Sequence, residues 1–390
     1  MAVASAMTLY PNYPFFLSPS DPERVEYVDN SFDFNIGREL LLDPNDIVTR
    51  EMIGEGGYSI VYKGLFKSFI PVAVKIVQPS RTAAVSRQHK EKFQEEVLFL
   101  SKIHHNNIVK FFGACIEPQL MIVTELLEGG TLQKLLWDSR PIPLDLKMSL
   151  NFALDISRAM EYLHSKGIIH RDLKPRNVLV TSDLTEVKLA DFGLAREETA
   201  SCMTSEAGTY RWMAPEVFSR EPLRIGEKKH YDHKADVYSF AIVFWELLTN
   251  RQPFSGLHQI TVPYFVSQKE RPSLRDLPDE IVSILESCWA EDSNARPEFK
   301  EITVLLTNLM SSLYSDTDSS CGATVIMNYL SDDLDTIDEG SMTNLTQDEG
   351  STTNLIQERE PEERRRKKKK KVMNFIRPFF KMFRACLYKP

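Results

Sequence analysis

Asp172, Asn177 and Asp191 bring two carboxylates and a carboxamide into one short stretch of a 390-residue chain. Asp172 stands in His170-Arg171-Asp172-Leu173-Lys174-Pro175-Arg176-Asn177, and Asp191 heads Asp191-Phe192-Gly193. This set suits phosphoryl transfer, in which the protein supplies position and charge: one group orients a hydroxyl nucleophile while others hold Mg²⁺ against a triphosphate. Asp172 is the candidate base; Asn177 and Asp191 are the candidate metal ligands.

Such groups need a phosphate cradle and a cation upstream. Ile53-Gly54-Glu55-Gly56-Gly57-Tyr58-Ser59-Ile60-Val61 places glycines at the turn of a hairpin expected over residues 51–65. A Cβ there would block positive φ angles and the close approach of backbone to phosphate. Ser59 stands where a third glycine usually falls, and a glycine motif alone also fits an ordinary hairpin. Val72-Ala73-Val74-Lys75 then sets an ammonium in an apolar alternating run, a costly position unless carboxylate and phosphate oxygens partner it. The next segment, Glu91 to Ile103, has helical periodicity, with Phe93, Val97, Leu100 and Ile103 on one stripe. It carries two candidate partners, Glu95 and Glu96.

With these motifs in order, residues 47–314 resemble a protein kinase of the tyrosine-kinase-like group and are most similar to the plant Raf-like MAP kinase kinase kinases. The stretches Ile122 to Leu127, Gly167 to His170, Lys188 to Thr199, Gly208 to Glu216 and Trp245 to Asn250 carry that resemblance. It selects Glu96 as the partner of Lys75. It makes Thr124 the gatekeeper and Glu125 the start of an adenine-bonding hinge, with Val61, Ala73 and Leu179 sandwiching the ring. It implies ATP and Mg²⁺ as cofactors and a protein as substrate. Lys174, near the transferred group, favours Ser/Thr acceptors. His170 is expected to be structural. Arg171 resembles the arginine that pairs with a phosphorylated loop, for which Thr199, Ser201, Thr204, Ser205 and Thr209 are the candidate sites. Glu216 with Arg296, and Asp236 with the catalytic-loop backbone, are expected structural pairs.

The implied fold class is α+β. A small β-rich lobe over residues 47–125 stands above a larger helical lobe over 126–314, where long amphipathic patterns such as Leu144 to Ser165 and Asp236 to Asn250 dominate. ATP would lie in the cleft between the lobes. Residues 1–46 read as an irregular leader with Pro11, Pro14, Pro19 and Pro22.

The five cysteines are scattered and form no C-x-x-C pair, which points to a reducing, cytoplasmic setting. Neither an apolar run of membrane-spanning length nor a signal or transit peptide is expected, and no nucleic-acid partner is expected.

The net charge of −8 conceals two opposite halves of a tail. Residues 315–360 are acidic and rich in Ser and Thr, too polar to bury a core, and hold a short duplication beginning at Asp338 and Asp348. Replication slippage in a linker is the favoured reading of that duplication, against a repeated docking or phosphorylation motif. Residues 361–390 carry an unbroken cationic run from Arg364 to Lys371, then Val372, Phe375, Ile376, Phe379, Phe380, Phe383 and Leu387 at helical spacing, interrupted by Pro378. An anionic membrane surface is the leading partner; a nuclear import receptor, calmodulin or the acidic half are alternatives. The cytoplasm, with the membrane periphery or the nucleus as further sites, is the expected compartment. Cys386 is a candidate for acylation.

Three functions compete: an active kinase, a pseudokinase acting as a binding module, and a scaffold driven by the basic tail. Lys75, Glu96, Asp172, Asn177 and Asp191 are all present, which favours the enzyme.

Overall fold

A computed structural model describes residues 32–78, 85–193, 195–197, 210–218 and 232–314. The small lobe contains β1 (Ile47–Glu55), β2 (Ser59–Phe66), β3 (Ile70–Val77), α1 (Arg87–Leu100), β4 (Phe111–Cys115) and β5 (Met121–Glu125). The large lobe follows with α2 (Leu132–Ser139), α3 (Leu146–Ser165), β6 (Ile168–Ile169), β7 (Val178–Val180), β8 (Val187–Leu189) and β9 (Arg196–Glu197). It continues with α4 (Lys234–Thr249), α5 (Val262–Ser267), α6 (Asp279–Cys288) and α7 (Phe299–Tyr314). The five strands of the small lobe form one antiparallel sheet in the order β1-β2-β3-β5-β4, while β6 pairs with β9 and β7 with β8.

Strand alternation decides what reaches the space between the lobes. Val72, Val74 and Ile76 of β3 are buried on one face, so the pleat turns Ala73 and Lys75 to the other. Helix α1 starts at Ser86, whose hydroxyl accepts from the His89 N–H and satisfies one of the helix's orphan amides. Its buried residues Phe93, Glu96, Val97 and Leu100 recur at i, i+3, i+4 and i+7, an apolar stripe with one carboxylate set into it.

In the large lobe α3 is capped by Asp145, which accepts from Met148 N–H at 3.0 Å. Helix α4 is buried from Ala235 to Thr249, the pattern of a helix with apolar neighbours on every side. It ends where Asn250 turns left-handed at φ 47°. These helices lie where the sequence patterns at 91–103, 144–165 and 236–250 placed them, with ends shifted by a few residues. Among the described residues no helix is long and apolar enough to cross a membrane.

The candidate phosphorylation sites Thr199, Ser201, Thr204, Ser205 and Thr209, residues 1–31 of the leader and the whole tail 315–390 lie outside the described residues. Residues 32–46, assigned from sequence to the leader, pack on the small lobe: Leu41 bridges Ala114 of β4 in parallel, and Phe34, Ile36 and Leu40 lie against the main core.

Candidate active site

Lys75 of β3 meets α1. Its Nζ lies 2.7 and 2.9 Å from the two carboxylate oxygens of Glu96, and 3.3 Å from Oδ1 of Asp191. Glu96, on the buried face, is therefore the partner, whereas Glu95 is exposed. Burial works against the Lys75 charge, but the carboxylates of Asp191 and Glu96 outweigh it and hold its pKa above the usual lysine range. Burial raises the pKa of Glu96, an effect Lys75 offsets only in part, while the Lys75 charge pulls that of Asp191 down.

The catalytic loop between β6 and β7 is built around Asp172, which is 5% exposed. Its Oδ2 accepts from Lys174 Nζ at 2.6 Å and from Asn177 Nδ2 at 2.9 Å, and the same Nδ2 also donates to the Asp172 carbonyl. The other oxygen, Oδ1, is buried and accepts no hydrogen bond from the described residues. An acceptor held on one side and unsatisfied on the other is suited to take a hydrogen bond from a substrate hydroxyl. Asn177 commits its nitrogen end to Asp172, which leaves its oxygen as the donor atom for a cation.

His170 is wholly buried, burial lowers its pKa, and its Nδ1 accepts from the Asp172 N–H at 3.3 Å. Its ring centroid lies 5.3 Å from that of Phe192, which in turn lies 5.4 Å from Phe99 of α1. Packed neutral among aromatics, it positions the loop rather than acting as a base. Asp236 accepts from the backbone N–H groups of His170 and Arg171, each at 2.8 Å. Arg296 forks onto Glu216 at 2.6 and 2.9 Å. Two non-glycine residues of the site hold left-handed backbone, Arg171 at φ 72° and Asp191 at φ 60°, strain of the kind that clusters where side chains are aimed for function.

Lys75, Glu96, Asn177 and Asp191 border a cleft of about 560 Å³, a volume suited to a small-molecule ligand; its lining does not include Asp172. Ile53, Val61, Ala73 and Leu179 line it as expected, together with Thr124, Lys75, Asn177, Asp191 and residues 54–59 of the glycine-rich turn. Two expected ligand contacts are not cleft-lining. Ile60 is turned away by the pleat that presents Ser59 and Val61. Glu125 directs its carboxylate to Lys188 Nζ at 2.8 and 2.9 Å and to Lys110 N–H at 2.7 Å, and Leu126 and Leu127 line the cleft after it.

The glycines also act differently from the sequence expectation. Gly54, Gly56 and Gly57 are not among the residues with positive φ, and a Cβ on any of them would meet nothing closer than 3.4 Å. They leave open space on the cleft side of the turn. Tyr58 at the tip leans on α1, stacked on His89 at 5.1 Å with Lys92 Nζ 5.2 Å from its ring centroid.

Sequence reasoning missed Val109, Ala190, Leu126, Leu127 and Arg176 as cleft residues. Val109 arrives through a tertiary contact, its N–H donating to Leu189 O at 3.0 Å, and no local pattern announces it. Arg176 was visible inside the catalytic motif but had no assigned role.

Comparison with known proteins agrees with this geometry. The family model described as protein tyrosine and serine/threonine kinase matches residues 47–306. Serine/threonine-protein kinase STY17 of Arabidopsis thaliana is 39% identical over 282 residues, 71% of this chain and 47% of that protein. Serine/threonine/tyrosine-protein kinase HT1 of Arabidopsis thaliana is 38% identical over 274 residues, covering 69% of this chain and 67% of the relative. Mitogen-activated protein kinase kinase kinase 7 of Homo sapiens is 35% identical over 276 residues, 69% of this chain and 43% of the relative. The chain thus spans about half to two thirds of the length of these curated relatives.

Proposed function

The chain belongs to the protein tyrosine and serine/threonine kinase family, and we propose that it is an ATP-dependent protein serine/threonine kinase of intracellular signalling, with tyrosine as a secondary acceptor. The observation that carries this reading is the complete constellation: Lys75 held by Glu96 and facing Asp191, beside an Asp172 whose Oδ1 is unsatisfied. A pseudokinase usually lacks one of these groups.

ATP with Mg²⁺ fits the residues present, and when bound supplies the transferable γ-phosphoryl group. Asn177 and Asp191 would hold the metal. Lys75, oriented by Glu96, presents its charge to phosphate oxygens, and Val61, Ala73 and Leu179 offer apolar faces for the base. Asp172 orients the acceptor hydroxyl and takes its proton at Oδ1, while Lys174 places a second cation beside it. The names of the relatives support a place in a MAP kinase cascade. Transfer from labelled ATP·Mg²⁺ to a generic protein and to the chain itself tests the reading: incorporation on Ser and Thr should disappear in Asp172→Asn and in Lys75→Met. Wild-type chain that binds ATP without transferring phosphate would make the pseudokinase the better description.

The basic tail supports a second proposal, that residues 361–390 attach the enzyme to an anionic membrane surface. Each cation near such a leaflet adds about 1 kcal/mol, and the phenylalanines add apolar burial. The full chain should co-sediment with phosphatidylserine vesicles and not with neutral ones, and should lose that binding when Arg364 to Lys371 are replaced by Gln. Capture by calmodulin or an import receptor with no vesicle binding would replace this proposal by one of its alternatives.

A further inference from the structure

The segment before β1 makes two separate attachments to the small lobe. At its C-terminal end Leu42 N–H donates to Ala114 O at 2.9 Å, and Leu42 O accepts from the Cys115 thiol at 3.4 Å. Packing there leaves no room for a side chain on Gly113, where a Cβ would stand 2.6 Å from Leu42 Cγ and 2.9 Å from Leu40 O. At its N-terminal end the chain crosses to α1. The Phe34 ring meets that of Phe93 edge-on at a centroid distance of 5.9 Å, with Phe32 edge-on to Phe34 at 4.8 Å, and the Asn35 N–H donates to Gln94 Oε1 at 2.6 Å.

The α1 end of this strap matters because of what α1 carries. Phe93 and Glu96 are three residues apart and share the buried face of the helix. A helix free to rotate or swing outward would withdraw Glu96 from Lys75. Within the small lobe β4 neighbours α1, and residues 32–42 contact both. At the α1 end the contacts are partly buried aromatic packing and one hydrogen bond from a backbone N–H to a side chain, a modest restraint on the helix.

We propose that residues 32–42 are a brace in which Phe34 and Asn35 position α1, and through it the Glu96 carboxylate on Lys75. The inference rests on the kinase reading for its effect on rate, but not for its effect on the helix. Phe34 is a positioning residue: it touches neither cleft nor substrate, and its influence passes through Glu96.

The test uses the full chain and its Phe34→Ala, Phe34→Leu and Gln94→Ala variants. Phe34→Ala is expected to lower kcat about tenfold, the scale on which small misplacement of a catalytic group is felt. Phe34→Leu should restore most of the loss, and Gln94→Ala should show a smaller decrease in the same direction. In a Glu96→Gln background Phe34→Ala should cost little further, since both changes break one linkage. Amide exchange over residues 87–100 should quicken in Phe34→Ala while exchange in α4 stays as in wild type. Unchanged kcat and unchanged α1 exchange in Phe34→Ala would overturn the brace, as would full additivity with Glu96→Gln. If Phe34→Ala fails to fold, the same comparison on Gln94→Ala decides. A wild-type chain without phosphate transfer would defeat the kinase reading, and the exchange measurement would then judge the brace alone.

Discussion

The guanidinium of Arg176, in the catalytic loop of the large lobe, donates to the backbone carbonyl of Glu55, in the glycine-rich turn of the small lobe, at 2.7 Å. The bond crosses the cleft and ties the glycine-rich turn to the residue preceding Asn177. Because Arg176 is exposed, water competes for the bond and its net worth is modest. Arg176→Ala is expected to raise KM for ATP by about two- to fivefold, corresponding to a net bond near 1 kcal/mol, and to change kcat less. Steady-state kinetics at saturating protein substrate reads the split; an unchanged KM would show that the clasp does not restrain the turn when nucleotide is bound.

Lys174 contacts Asp172. Its Nζ is 2.6 Å from Asp172 Oδ2, and it is not among the residues lining the cleft. Lys174→Ala should reduce kcat by about two orders of magnitude, the lower end of what general acid–base catalysis contributes, with nearly unchanged affinity for ATP. Equal losses in kcat and in ATP affinity would move Lys174 into nucleotide binding.

Among the described residues Arg296 is one of the largest fully buried side chains, and besides Glu216 it donates to the carbonyls of Ala290 and Lys234 at 2.9 Å. Replacing it by Leu leaves the Glu216 carboxylate and two carbonyls without their donor. Loss of one partner of a buried pair costs about 3–5 kcal/mol; the Glu216 side chain is 25% exposed, so the lower end is expected in a denaturant melt. A loss below about 1 kcal/mol would class the pair with surface bridges.

The candidate catalytic set could be picked out because its chemistry is written in contiguous strings: Asp172, Lys174 and Asn177 share one loop, and Asp191 opens the next motif. Lys75 was legible because a lysine in an apolar strand demands partners. Choosing Glu96 over Glu95 needed the family pattern, since both sit on one helix and only the buried stripe separates them. Ile60 was lost by reading the turn as a block when alternate residues face opposite ways. The partner of the Glu125 carboxylate, Lys188, is distant in sequence and no local pattern announces it. The brace escaped for a related reason: Phe32, Phe34 and Ile36 alternate over a stretch too short to signal a strand, and its partner Phe93 lies beyond three strands.

Asp155 of α3 gives a pH dependence with a definite sign. Its Oδ2 accepts from the Val187 N–H at 3.1 Å, Arg158 stands 3.9 Å from its Oδ1, and burial pushes its pKa up from 3.8 to about 6. The folded chain therefore holds this proton between pH values near 4 and 6 while the unfolded chain has released it, so this group makes stability fall as pH rises through that window and adds no slope above it. Burial opposes ionisation of Asp236 as well, but hydrogen bonds from His164 and the loop backbone win and lower its pKa, so it slopes the other way. Asp155→Asn keeps an oxygen for Val187 and removes the titration. Relative to wild type, the variant should gain about 2 kcal/mol on going from pH 4 to pH 8. Urea unfolding of both proteins at the two pH values reads that difference directly. A stability difference identical at both pH values would mean that Asp155 titrates alike in folded and unfolded chains, and that the Val187 bond and Arg158 compensate its burial in full.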